Sequence, residues 1–171
     1  HPLPLFSFGQ ALPVGVASLC EWCNLFLRSA VKPEEIDLKA LNGSVPPGIR
    51  FTGVDALILK KKQARPVLEA FDLELRPATG AGTDLQEAFG AALLQEELPV
   101  QSETRKGRRE VNVRPYLKSV EHLAPGTSRL ILDWRRGYLS PLTIVKGVLP
   151  GLEAPAFELT KIRQFMDQTL E

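Results

Sequence analysis

The chain has 171 residues, 44% of them hydrophobic, with 21 lysines and arginines against 20 aspartates and glutamates, an ordinary globular composition long enough for one or two cores. No stretch approaches the roughly 18 apolar residues of a membrane helix, nothing resembles a secretory leader, and two cysteines cannot staple a disulfide framework, so a reduced, cytoplasmic setting is expected. The net charge of +1 hides a segregation: residues 60–65 (KKKQAR) and 105–114 (RKGRREVNVR) together carry +8, leaving −7 on the other 155 positions.

The chain begins at His1 inside an apolar segment, and the first element is expected to be incomplete. Residues 22–28 read as a strand, and Pro33 at a first helical position opens a short helix through about Leu41. Residues 51–59 read as a buried strand, apolar on both faces apart from Asp55. After the basic run, Phe71, Leu73 and Leu75 alternate with Asp72, Glu74 and Arg76, the period of a strand with one wet face. Thr83 and Gln86 form a capping-box pattern ahead of Leu85, Ala88, Phe89, Ala92 and Leu93, whose spacing lays one apolar stripe along a helix.

Residues 98–104 and 110–114 read as two strands around a Lys-Gly turn, and 129–134 as a third with alternating faces. Ser140 before Pro141 starts a helix that Pro150 and Gly151 stop. Residues 157–162 suit a last strand, although Ile162, Phe165, Met166 and Thr169 equally suit a terminal helix. From residue 69 the order is strand, helix, strand, extra strand, strand, helix, strand, a ferredoxin-like split β-α-β with one addition. Residues 3–59 read as the same unit lacking its first strand and helix. The expected fold is therefore α+β with duplicated ferredoxin-like units: a truncated first unit over 1–62 and a second over 63–171 carrying a basic hairpin.

Two long strings with fixed Pro, Gly and Arg positions go beyond propensity: HPLPLFSFGQALPVGV at 1–16 and TRKGRREVNVRP at 104–115. Both resemble the radical-SAM-linked family of uncharacterised bacterial proteins, which occurs as a C-terminal domain of radical-SAM proteins or as a separate neighbour of one. The resemblance covers the whole chain and implies that a strand and helix ahead of the first motif are missing. It implies no reaction. The family's association with ribonuclease and ribosomal-protein genes points to RNA or ribosome biology by association alone.

Catalytic and metal chemistry find little support. Cys20 and Cys23 form a C-x-x-C, but an offset of three on a strand sends the two side chains to opposite faces, so half-buried thiols are the expected reading. A radical-SAM cluster needs three cysteines in C-x-x-x-C-x-x-C, so the iron–sulfur cluster and SAM are expected only on a partner or fused domain, with no cofactor or metal in this chain. His1 and His122 lack acidic or thiol residues at ligand spacing; His122, in SVEHLAPG, reads as a solvated loop residue rather than a general base. No G-x-S-x-G, P-loop or G-x-G-x-x-G is present, and the GAG at 80–82 reads as the loop feeding a capped helix. The expectation is a chain that is not by itself an enzyme.

Two stretches remain as binding candidates. In SFGQALPVG, Gly9, Pro13 and Gly15 impose an irregular backbone that either offers main-chain N–H groups, with Ser7 and Gln10 as polar contacts, or merely turns a sheet corner. The stronger candidate is the basic hairpin. With Val111 and Val113 facing the core, Asn112 and Arg114 would share the wet face, and Arg105, Lys106, Arg108 and Arg109 would crowd the turn. Like charges at that density repel unless a polyanion neutralises them, and arginine suits bidentate phosphate contacts. No aromatic residue interleaves with the arginines, so backbone contact rather than base reading is expected.

The leading expectation is a recognition or docking domain of a radical-SAM system that contacts RNA or a ribonucleoprotein through 105–114, helped by Lys60, Lys61, Lys62 and Arg65. Neutralising about five phosphates would give a log affinity against log salt slope near −3.5 for single strands. The rival is a protein-docking module whose sheet packs on a radical-SAM domain, its arginines meeting an acidic surface. A truncated first unit would leave an open sheet edge and an uncovered apolar face, so homo-oligomers are expected.

Overall fold

Fourteen prolines and thirteen glycines cut the chain into short elements. A computed structural model describes residues 5–56, 66–76, 82–104, 107–152 and 155–166. In chain order these form β1 (Leu5–Phe8), β2 (Val16–Ser18), β3 (Cys23–Phe26), α1 (Leu38–Gly43), β4 (Pro66–Leu75), α2 (Leu85–Leu94), β5 (Pro99–Thr104), β6 (Gly107–Asn112), β7 (Leu117–Ala124), β8 (Thr127–Asp133), α3 (Pro141–Val148) and β9 (Phe157–Met166). The fold is mixed α+β. It divides into two compact units, one of His1–Gly9 with Trp22–Gln63 and one of Gln10–Glu21 with Ala64–Glu171.

In the second unit a five-stranded sheet runs in the order β2-β9-β4-β8-β7. The pairs of β4 with β8, β4 with β9 and β7 with β8 are antiparallel, and β2 pairs with β9 in parallel. β4 and β7, joined through α2, β5 and β6, flank β8, and β8 and β9, joined through α3, flank β4. The alternation in β4 does what the sequence predicts: Phe71, Leu73 and Leu75 are buried and Glu74 is exposed. Leu85, Phe89 and Ala92 of α2 and Ile144, Val145 and Val148 of α3 complete the core with Leu130, Leu132 and Leu159. Each large side chain buried there is worth about 1.5–3 kcal/mol. Elsewhere on the sheet Arg129 grips Asp72 through two bonds of 2.7 and 3.0 Å.

Three expectations for this unit need correction. The cap of α2 is Asp84, whose carboxylate accepts from the N–H groups of Gln86 and Glu87, and not Thr83. The pair at 98–104 and 110–114 adds no strand to the large sheet: β5 and β6 form a two-stranded sheet of their own, β6 ends at Asn112, and Arg114–Tyr116 is a 3-10 turn. The sheet strand is instead β7, read from the sequence as a polar turn. As an edge strand it buries only Leu117, and Lys118, Ser119, Glu121 and His122 face water, so no alternation survives to betray it; charges on an edge discourage further pairing. The choice at the C-terminal end falls to a strand through Met166.

In the first unit β1 and β3 form an antiparallel ladder from Leu5 opposite Phe26 to Phe8 opposite Cys23. The predicted helix is a 3-10 turn at Pro33–Glu35 followed by α1, capped by Asp37. The strand expected over 51–59 is absent from its described part, 51–56. The Asn42 side chain accepts from the Phe51 N–H at 2.7 Å and donates to its carbonyl at 3.0 Å, taking both groups a ladder would need. No side chain described in this unit is buried.

Candidate functional site

The basic hairpin has an anchored base and an exposed end. Val113 donates its N–H to the Leu98 carbonyl at 2.9 Å. The Asn112 side-chain oxygen accepts from the N–H groups of Leu98 and Arg114 at 2.9 and 3.1 Å. Leu98 and Val113 are buried, and α3 approaches them through Gly147, where a Cβ would fall 2.6 Å from a Val100 methyl and 2.7 Å from a Val113 methyl.

Arg114 completes the anchor. Its Nη2 donates to the Leu93 carbonyl at 2.8 Å, Nε to that of Gln95 at 3.1 Å and Nη1 to that of Leu117 at 2.8 Å. Leu93 and Gln95 lie at the C-terminal end of α2, where helix carbonyls lack partners and a cation is favoured. Asn112 and Arg114 therefore hold backbone at the base, and neither stands on the open wet face that the sequence predicts for them.

Beyond the base, residues 107–110 are all exposed. The ladder sets Ser102 opposite Arg109, Glu103 opposite Arg108 and Gln101 opposite Glu110; the last pair bonds at 3.3 Å. Directly opposed residues share a face. Arg109 therefore shares its face with Ser102, Val100 and Val111, whereas Arg108 shares the other with Gln101 and Glu110. The two arginines, expected to crowd together, stand on opposite faces, and Glu110 lies on that of Arg108.

Arg105, Lys106, Lys60, Lys61, Lys62, Arg65 and His1 lie outside the described residues, as do Gly80 and Ala81 of the GAG loop. Ser7 lies on β1 in the first unit, opposite Asn24, and the exposed Gln10 opens the segment belonging to the second. His122 is on β7, with Nδ1 2.9 Å from the Ser128 hydroxyl. Cys20 and Cys23 are free thiols, both half-buried. They do not share the expected strand, since β3 begins only at Cys23. Burial pushes the Cys20 thiol up despite the lowering by Lys161 and Ser18, which disfavours a reactive thiolate. Among the described residues no group of three His, Cys, Asp or Glu side chains could hold a metal.

One cluster was not anticipated. Lys161, 1% exposed, places its ammonium 3.2 Å from Glu69 Oε1 and against Glu21. Glu69, also 1% exposed, accepts a second bond from Gln164 at 2.9 Å. Burial, then the charges of Glu69 and Glu21, push the Tyr138 phenol up to about 12. A signal existed in the sequence: Glu69 continues the apolar phase of Phe71 and Leu73, and Lys161 that of Phe157 and Leu159. Opposite charges on the core phase of two strands call for each other, because breaking a buried pair costs about 3–5 kcal/mol.

A family model described as uncharacterized protein conserved in bacteria (DUF2344) matches residues 1–141. No curated protein and no solved structure gives a significant match. Among the described residues no helix is long and apolar enough to cross a membrane.

Proposed function

The chain belongs to the family of uncharacterised proteins conserved in bacteria, and from that premise we propose that it is a non-catalytic recognition domain of a radical-SAM system. It contacts RNA or a ribonucleoprotein through the end of the β5–β6 hairpin. We read the second unit, with its interleaved strand–helix–strand passages, as ferredoxin-like and the first as an incomplete copy of it. The cluster and cofactor of the chemistry belong to a partner or fused domain, and the setting is the cytoplasm. The observation that carries the reading is the contrast along the hairpin: a base fixed by Asn112, Arg114 and the Gly147 contact, and an end where Arg108 and Arg109 are exposed. A pre-positioned arginine reaches phosphate without the ordering cost of a loose loop.

The engagement of Arg114 by three carbonyls lowers the expected number of phosphate contacts to four, from Arg105, Lys106, Arg108 and Arg109. The slope of log affinity against log salt for single-stranded RNA then falls to about −2.8. Arg109→Ala is expected to flatten it by about 0.7, and Arg108→Ala, on the face that Glu110 shares, by less. Filter binding over a salt series measures this. A flat slope for the wild type, or undiminished binding by the triple alanine variant of Arg105, Arg108 and Arg109, would overturn the reading.

The docking alternative is favoured by the exposed apolar side chains of the first unit, Phe8, Trp22, Leu25 and Phe26 among them. Co-purification with a radical-SAM chain that survives nuclease treatment would support it; loss of the complex on such treatment would support RNA.

A further inference from the structure

We infer that the segment Gln10–Glu21 is a releasable strap, latched onto the edge of β9 by Glu21 against the buried ammonium of Lys161. Both ends of this segment run on into the first unit, while its body belongs to the sheet of the second. It turns tightly at Gly15, with a φ of +90° and a bond from Val16 N–H to the Pro13 carbonyl of 3.1 Å. Three parallel pairs then follow, Val16 with Leu159, Ala17 with Thr160 and Ser18 with Lys161.

Apolar burial holds this strap weakly. Val16 is its one buried residue, whereas Val14 is 99% and Leu19 74% exposed. The half-buried Leu12 also packs against the core, and the other attachments are polar: Leu19 N–H to the Lys161 carbonyl at 2.8 Å, Tyr138 hydroxyl to the Ala11 carbonyl at 3.3 Å, and the Glu21 ion pair. A short ladder with little buried apolar surface belongs to the low-stability end of a fold.

The ionic cluster permits departure. The Glu21 side chain is 40% exposed, while those of Glu69 and Lys161 are each 2% exposed. When Glu21 leaves, it returns to water easily, and Lys161 keeps Glu69, which Gln164 continues to support. No buried charge is stranded, so the large penalty of splitting a buried pair is avoided. Release uncovers the main-chain edge of β9 and frees Cys20, whose thiol now lies 3.9 Å from the Lys161 carbonyl.

Hydrogen exchange on the full chain tests the latch. In Glu21→Gln, the amides of residues 16–19 should exchange about tenfold faster, as expected for loss of one charge-assisted contact, with β4 and β8 unchanged and Cys20 alkylated faster in step. Glu69→Gln, which removes the buried partner instead, should accelerate β4, β8 and β9 together. Unchanged exchange at residues 16–19 in Glu21→Gln, or an acceleration shared equally by β4 and β8, would overturn the latch.

Discussion

Arg114 closes a basic run in the sequence and yet points its guanidinium at three main-chain carbonyls, 2.8 to 3.1 Å away. Charged donors on carbonyls contribute about 1.5–3 kcal/mol each when taken singly, and bonds sharing one side chain do not add. Arg114→Ala is therefore expected to lower stability by about 2–3 kcal/mol in urea unfolding. Arg114→Lys should recover less than half, because a point charge cannot span three acceptors held in a fork. A loss under about 0.5 kcal/mol, the size of an ordinary surface change, would mean that water replaces the guanidinium freely. The residue types of the motif were legible in the sequence; their division into anchor and exposed end was not. That division follows from where β6 stops and from which carbonyls α2 leaves open, and both depend on chain far from 105–114.

Elements with a strong internal period were legible: β4 from its alternation, α2 from its stripe, and α3 from Pro141 at its start and Pro150 beyond its end. The strand β7 was hidden because it is paired on one side only and its side chains are mostly wet. The strand expected over 51–59 failed in its described part because Asn42 engages the backbone of Phe51. Packing between elements makes its own demand at Gly147. Alanine favours a helix over glycine by about 0.5–1 kcal/mol, but at this position its methyl would lie 2.6 Å from Val100 and 2.7 Å from Val113. Gly147→Ala is accordingly expected to destabilise by about 1–3 kcal/mol, the usual cost of overpacking. A raised melting temperature would show that the hairpin base yields to α3.

At the scale of the molecule the two units differ in kind. The second has a continuous core, while the first leaves Phe8 at 75%, Trp22 at 55% and Ile49 at 57% exposure, and its two-stranded ladder is at best marginal without cover. The chain alone is expected to self-associate with rising concentration in light scattering, and Trp22→Ser combined with Phe26→Ser to reduce this. A monomer at all concentrations would show that these side chains drive no association. Sequence alone determined the α+β class, the alternation of β4 and the basic segments, because composition and period act locally. Tertiary structure decided the rest: β2 lies beside a strand some 140 residues later in the chain, the faces of the hairpin set Arg108 and Arg109 apart, and Lys161 found Glu69. The physical reason is common to all three. A buried charge or an edge strand is satisfied by whatever the fold brings beside it, and no local pattern states what that will be.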